Sequence, residues 1–207
     1  VLIEIWSDVV CPWCYIGKRN LESALGQFEG RDNVTIAHRA FQLDPRMQST
    51  RPDLEILGEK YGTDPAQTRA MLTRVTEVAR LAGLNYRLDE TLSGNTLDAH
   101  RLLLWAQALG DAQHLLSAMY HAYFEKAESL FDHEHLLSLA VGIGLPRDEA
   151  AAVLAGNAYE ELVLEDQELA ASLGATGVPF FVIDRKYGLS GAQPIETFTK
   201  VLAKAAS

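Results

Sequence analysis

The spacing of apolar positions changes character twice along this chain. Residues 1–7 are a short apolar run, rich in β-branched and aromatic side chains and broken by Glu4, and they predict a buried strand. Residues 12–28 switch to helical spacing, with Tyr15, Ile16, Leu21, Ala24, Leu25 and Phe28 on one stripe. Pro12 suits the first helical position, where the N–H it lacks would have no intrahelical partner. Gly30 and Asp32-Asn33 mark a turn, and residues 34–41 alternate as a second strand. Strand, helix and strand at this spacing predict a parallel βαβ unit.

From about Pro45 to about Gly174, helix follows helix. Asp64-Pro65-Ala66-Gln67 combines a cap, a first-turn proline and a glutamine three residues on, and opens a helix to about Ala82. Others run from Thr96 to Leu109, over 111–128, from Asp132 to Val141, and from Pro146 to near Gly156. Asn157 and Glu160 read as a second capping box, opening a helix to about Leu173. The pattern then switches back. Val178 to Ile183 is a strand, 184–188 a turn, Leu189-Ser190 the start of a return strand, and 194–205 an amphipathic helix. The outline is α/β: segments 1–44 and 160–207 enclose a helical block over 45–159.

A chain of 207 residues with 48% apolar content has room for one large domain or a small domain carrying an insertion. A net charge of −10 argues against nucleic acid or an anionic membrane as the main partner. No apolar run approaches the roughly 18 residues of a membrane span, and nothing at the visible N-terminal end has the pattern of a signal peptide. The chain opens on Val1 rather than Met, so a removed leading segment stays open. On this pattern the expected compartment is the cytoplasm.

The candidate chemistry lies in Cys11-Pro12-Trp13-Cys14, which holds both cysteines of the chain. Two residues separated by one turn at a helix start can meet the Cα separation a disulfide needs, roughly 4.4–6.8 Å. Closing so short a loop removes little chain entropy, so redox chemistry explains the pair better than stability does. Zinc wants four ligands, and no further cysteine exists to supply them. No metal is therefore expected. A helix N-terminus favours an anion, which points to Cys11 as the attacking thiolate and the more exposed sulfur. Cys14, one turn inside, is expected to be buried and to act as the resolving thiol. His38, Trp6 and Phe41 read most simply as structural, and Glu160-Glu161 and Glu165-Asp166 as solvated helix faces.

The strand, the C-x-x-C at a helix start and a late Gly177-Val178-Pro179 opening a hairpin resemble the thioredoxin superfamily. The intervening helices resemble its DsbA-like branch. Residues 8–17, 95–101 and 174–181 resemble FrnE-type oxidoreductases within it. The resemblance implies a thioredoxin fold (βαβ … αββα) with a large all-helical insertion, and a disulfide oxidoreductase using Cys11 and Cys14. It implies a cis bond before Pro179, with Pro12, Trp13, Val178 and Pro179 contacting substrate and Asn95 and His100 facing the site. Members with Pro-His between the cysteines are strong oxidants; Trp13 implies a less oxidising pair. No organic cofactor is implied beyond the redox disulfide. The implied partners are thiol- or disulfide-containing proteins or small molecules, with glutathione a candidate.

Two related branches keep a different reading open. The kappa-class glutathione transferases and the 2-hydroxychromene-2-carboxylate isomerases share the insertion, but typically carry Ser where this chain has Cys11. They also bind the glutathione glutamyl end with an acidic residue after the hairpin, where this chain has Gln193, a departure that speaks against tight glutathione binding. A glutathione-dependent isomerase or transferase is thus the rival enzyme, and a chaperone or binding module the rival outside enzymology. A tie to polyketide pathways comes from the FrnE name alone.

Overall fold

A computed structural model describes residues 1–206. Its main sheet has four strands: β1 (Leu2–Ser7), β2 (Thr35–Ala40), β5 (Phe180–Ile183) and β6 (Tyr187–Ser190), in the order β2-β1-β5-β6. β1 pairs parallel with β2, and β5 runs antiparallel to both β1 and β6. The alternation of side chains across a strand sorts the two faces. Ile3, Ile5, Phe181 and Ile183 pack under α1 (Pro12–Gly26) and α9 (Ile195–Ala205), against Leu21, Ala24, Phe198 and Leu202. Trp6, Phe180 and Val182 face the other way and meet Ala170 of α8 (Glu160–Ser172). Glu4 shares that second face. It is buried, paired with Arg39 at 2.7 Å and Arg185 at 3.1 Å.

Between β2 and α8 lie α2 (Asp53–Tyr61), α3 (Pro65–Leu81), α4 (Leu97–Ala108), α5 (Ala112–Tyr120), α6 (His133–Gly142) and α7 (Arg147–Ala155). A two-residue ladder joins β3 (Arg51–Pro52) to β4 (Leu92–Ser93), a strand pair the helical pattern does not announce. The largest apolar core runs from Val9, Cys11, Cys14 and Ile16 into Leu102, Leu115, Met119 and Phe124. The inserted helices therefore pack directly on the cysteine-bearing helix.

Local signals set most of these boundaries. The Asp64 side chain accepts from Gln67 N and the Gln67 side chain from Asp64 N, a complete capping box. Asp132 caps α6 through the backbone of Glu134 and His135. The helix expected over 111–128 instead ends at Tyr120 and continues as a π turn over His121–Glu125. The second expected capping box is absent. Tyr159 takes a left-handed conformation (φ +68°) just before α8, which leaves Asn157 outside the helix and holding Glu160 only through its carbonyl. Asp166 is not a solvated residue either. It is buried, accepting from Ala40 N at 2.9 Å and pairing with Arg39 at 3.1 Å. Burial raises its pKa above the ordinary carboxylate value despite those contacts.

Candidate active site

Cys11 is the N-cap residue of α1, with extended backbone (φ −87°, ψ 113°), and Pro12 opens the helix behind it. Its N–H donates to Asp8 O at 3.1 Å, and Cys14 N–H donates to Cys11 O at 3.0 Å. This turn brings both sulfurs to the first turn of the helix. The Cys11 thiol lies 3.6 Å from the carbonyl oxygen of Val178, to which it donates. The Val178–Pro179 bond is cis, as the family resemblance implied. Gly17 makes the approach feasible: a Cβ there would lie 3.1 Å from both the Pro179 and Phe181 side chains. Both cysteines are thiols here, and both are buried, Cys11 at 4% and Cys14 at 2% exposure. The expected contrast between an exposed and a buried sulfur is thus slight, because the inserted helices cover the motif. Burial, reinforced by Cys11, pushes the Cys14 thiol well above its ordinary pKa, and a backbone hydrogen bond from Asp8 only partly opposes this. Trp13 is the outward residue of the motif, 40% exposed.

The wall behind the motif is aromatic. Tyr15 stacks on Tyr120 at 4.9 Å, and Tyr86 on Phe124 at 4.8 Å. The Tyr86 hydroxyl donates to Pro12 O at 2.7 Å and so holds the C-x-x-C turn from the insertion side. Tyr15 donates to Glu125 at 3.0 Å. Burial raises the pKa of both phenols, so they stay protonated donors.

His100 sits elsewhere than the resemblance implied, and the polar atoms of Asn95 are taken up by its own neighbourhood. Asn95 is exposed, but its polar atoms are occupied: Oδ1 accepts from Gln42 and Leu97 N, and Nδ2 donates to Pro45 O and Met47 O. It clamps the 42–47 loop onto the insertion. Asn95, not Thr96, satisfies the start of α4, since the Thr96 side chain makes no cap bond. His100 is buried behind the motif, with Nε2 3.1 Å from Asp8 Oδ1, and cannot touch a substrate at the Cys11 surface. Arg101, beside it, is also buried and donates to the carbonyls of Val153, Gly156 and Ala158, closing the end of α7.

Sequence reasoning missed Asp8 and Tyr86 as parts of the site. Asp8 is 1% exposed, and its other carboxylate oxygen accepts from Leu43 N at 2.7 Å. Among the described residues, no three His, Cys, Asp or Glu side chains converge as a metal site, and no helix is long and apolar enough to cross a membrane.

A four-stranded mixed sheet, a C-x-x-C pair at a helix start and a cis-proline beside the first sulfur define a protein of the thioredoxin fold. The model of the DSBA-like thioredoxin domain matches residues 2–203. This chain belongs to the family of DSBA-like thioredoxin domains. A solved structure from Streptomyces coelicolor, named as a probable DsbA oxidoreductase, is 47% identical with a TM-score of 0.94, covering 99% of this chain and 89% of that one. The cytosolic disulfide reductase DsbM of Pseudomonas aeruginosa, solved with GSH, shares the fold at TM-score 0.70 and 18% identity, over 100% of this chain and 99% of that one. A 2-hydroxychromene-2-carboxylate isomerase does so at TM-score 0.72 and 16% identity, over 100% and 96%.

Proposed function

We propose that this protein exchanges disulfides with thiol substrates through Cys11 and Cys14. The observation that carries the reading is the Cys11 thiol on the Val178 carbonyl beside Pro179, with Cys14 one turn behind it. In the oxidising direction a substrate thiolate attacks Cys11 Sγ. A substrate–Cys11 bond forms, the Cys11–Cys14 bond breaks, and Cys14 leaves with the electron pair. A second substrate thiolate then attacks the substrate sulfur of that mixed disulfide, and Cys11 leaves as thiolate. In the reducing direction Cys11 attacks a substrate disulfide and Cys14 displaces the product. Two electrons move between sulfurs, so the reaction requires no metal or organic cofactor. The Val178 carbonyl, freed when Cys11 reacts, is placed to accept from the backbone of an extended substrate, and Trp13 offers that substrate an exposed apolar face. Substrates are thiol- or disulfide-containing proteins or small molecules. Glutathione is a candidate by analogy with DsbM, whose cytosolic setting also makes the cytoplasm the compartment proposed here.

The rival reading is glutathione-dependent isomerisation, favoured by the shared fold of the isomerase. There a Cys11 thiolate, or glutathione held beside it, would act without Cys14. Equilibration in graded glutathione redox buffers, alkylation of free thiols and weighing of the products separates the two. One two-electron transition, lost in either Cys11→Ser or Cys14→Ser, is the expected result. Absence of a Cys11–Cys14 disulfide at every poise, or a stable glutathione adduct on Cys11 alone, would overturn the oxidoreductase reading. An isomerase would also keep its activity in Cys14→Ser, whereas disulfide exchange would lose its turnover.

A further inference from the structure

The two edges of the sheet are finished differently. Along β2, Thr35 N and Phe41 N donate to Val1 O and Ser7 O, so the even-numbered residues turn their backbone away from β1. Three of these are capped from within the chain. The Gln107 side chain accepts from His38 N at 2.6 Å and donates to His38 O at 3.2 Å, standing in for a neighbouring strand. The Asp166 carboxylate takes Ala40 N at 2.9 Å, and the Gln167 side chain takes Gln42 N at 3.0 Å.

The β6 edge is open. Gly191 N donates to Pro179 O at 2.8 Å, and the register sets Phe180 opposite Ser190 and Val182 opposite Gly188. In an antiparallel ladder this turns residues 187, 189 and 191 toward β5, and the backbone of Gly188 and Ser190 outward. Gln193 Nε2 takes the Ser190 carbonyl at 2.6 Å. The N–H and C=O of Gly188 and the N–H of Ser190 have no partner among the described residues, and both residues are exposed. Nothing inside the molecule asks for glycine at 188. Its φ is not left-handed, the register runs unbroken across it, and a Cβ there would make only ordinary contact, 3.5 Å from the Phe180 ring. A strand glycine of this kind suits close approach by another backbone.

The surroundings are basic in an acidic chain. Residues 184–206 hold Arg185, Lys186, Lys200 and Lys204 against Asp184 and Glu196, whereas the whole chain carries −10. Lys186 is exposed at the head of β6, and Lys204 Nζ lies 4.9 Å from the Tyr187 ring centroid. Arg185 is drawn toward Glu4, and Asp184 accepts from Leu2 N at 2.7 Å. Lysines on an edge discourage neutral and basic strands and admit an acidic one. The far end of β6 is tied to the cis-proline by the Gly191–Pro179 bond, so the edge leads to the Cys11 rim.

We infer that the outer edge of β6 docks an acidic, extended segment of the protein substrate as an added strand. Gly188 exchanges both of its hydrogen bonds with the segment, Ser190 N–H takes one of its carbonyls, and Lys186 and Lys204 meet its carboxylates. The docked segment brings the substrate's thiol or disulfide to the rim from the Gly191 end. This rests on the disulfide-exchange reading and supplies its partner class.

The probe is a short cysteine-free peptide alternating glutamate with threonine, titrated into isotope-labelled protein. The amide signals of Gly188 and Ser190 should move, and hydrogen exchange at Gly188 should slow at least about 10-fold. A lysine–threonine peptide should leave both amides unmoved, although the net charge of the protein would favour it. Each peptide is then given a terminal cysteine carrying thionitrobenzoate. Attack of Cys11 on the peptide sulfur forms a mixed disulfide and expels the coloured thiolate with the electron pair. The reduced protein should release the colour roughly 10-fold faster from the acidic peptide. Gly188→Pro removes the outward N–H but no bond to β5, and Lys186→Glu reverses the charge at the strand head. Both should abolish that preference while reducing the thionitrobenzoate disulfide of free cysteine at the wild-type rate. Unmoved Gly188 and Ser190 amides, a preference for the lysine peptide, or a preference that survives both substitutions overturns the inference. So does concentration-dependent movement of the same amides without peptide, which assigns the edge to a second copy of the chain. Failure to reduce even the free cysteine disulfide, with the amide shifts intact, overturns the exchange reading instead and leaves an acidic docking edge without that chemistry.

Discussion

Acidification should destabilise this fold through His38. The residue lies on β2 with its ring buried; the Gln113 side chain faces it, but neither ring nitrogen is within hydrogen-bonding geometry. Burial, assisted by the nearby Lys18 charge, lowers its pKa from 6.5 to about 4. Between those values the unfolded chain binds a proton that the folded chain refuses. Stability from this source is therefore complete above about pH 6.5 and falls as the pH drops, by about 2 kcal/mol at pH 5 and about 3 kcal/mol at pH 4. Against a typical total of about 5–15 kcal/mol, that is a large fraction. Two carboxylates titrate nearby. Burial works to raise the Glu4 pKa, but the hydrogen bonds and charges of Arg39 and Arg185 outweigh it, so its stabilisation is lost only as the pH falls below 4.5. Asp166 has a raised pKa, so the folded state takes up its proton first and its contribution runs opposite to that of His38. Comparing wild type with His38→Gln cancels both. In urea unfolding the wild type should lose about 2 kcal/mol more than His38→Gln between pH 7.5 and pH 5. A difference that stays constant across that range refutes the reasoning.

Trp13→His should make the pair more oxidising, because an imidazole can stabilise the thiolate where indole offers one N–H. Glutathione equilibria should show the potential rising by at least about 30 mV, from a wild-type value below the roughly −120 mV of DsbA itself; an unchanged potential would sink the argument. Arg101→Ala leaves three inward-facing carbonyls at the end of α7 without their donor, a loss of about 3–5 kcal/mol readable as a lower urea midpoint. Gly17→Ala sets a methyl 3.1 Å from the Pro179 and Phe181 rings. It should cost about 1–3 kcal/mol and alter the alkylation rate of Cys11, and unchanged values for both would show that the contact is slack.

The strands and most helices of the structure are legible in the sequence because their boundaries rest on local chemistry: Asp64 with Gln67, Asp132, and the βα turn at Pro12. α2 escaped notice because its apolar stripe is thin. Leu54 and Leu57 are only half-buried, although Asp53 and Glu55 in the first turn and Gly62 in the left-handed conformation were available signals. Asn157 misled for the converse reason. A cap motif was present, but the left-handed Tyr159 moved the helix start past it. The site divides along the same line. Cys11 and Cys14 form a contiguous motif, and Pro179 is recognisable through the family. Asp8 is indistinguishable in sequence from an ordinary turn residue, and only the fold buries it against His100, 92 positions away. Tyr86 lies in a stretch without periodicity, and its partner Pro12 is 74 positions distant.

Asp8 also shows how the insertion can act on the cysteines without changing the motif. Its backbone oxygen holds Cys11 N, and its carboxylate holds Leu43 N and His100, so α1, the loop after β2 and α4 converge on one residue. Asn95 reinforces the same junction from outside, clamping the 42–47 loop through the Gln42 side chain and two carbonyls. Asn95→Ala removes those bonds while touching neither sulfur. At about 1 kcal/mol net for each bond, losing two or three should speed hydrogen exchange of the Leu43 amide by roughly 10–100-fold, provided the loop opens locally. The reactivity of Cys11 should change with it, because the loop that leaves is the one Asp8 grips. Unchanged protection at Leu43 would mean that Asp8 holds the loop alone. Faster exchange with unaltered Cys11 reactivity would mean that the loop and the sulfur are mechanically separate despite sharing a carboxylate.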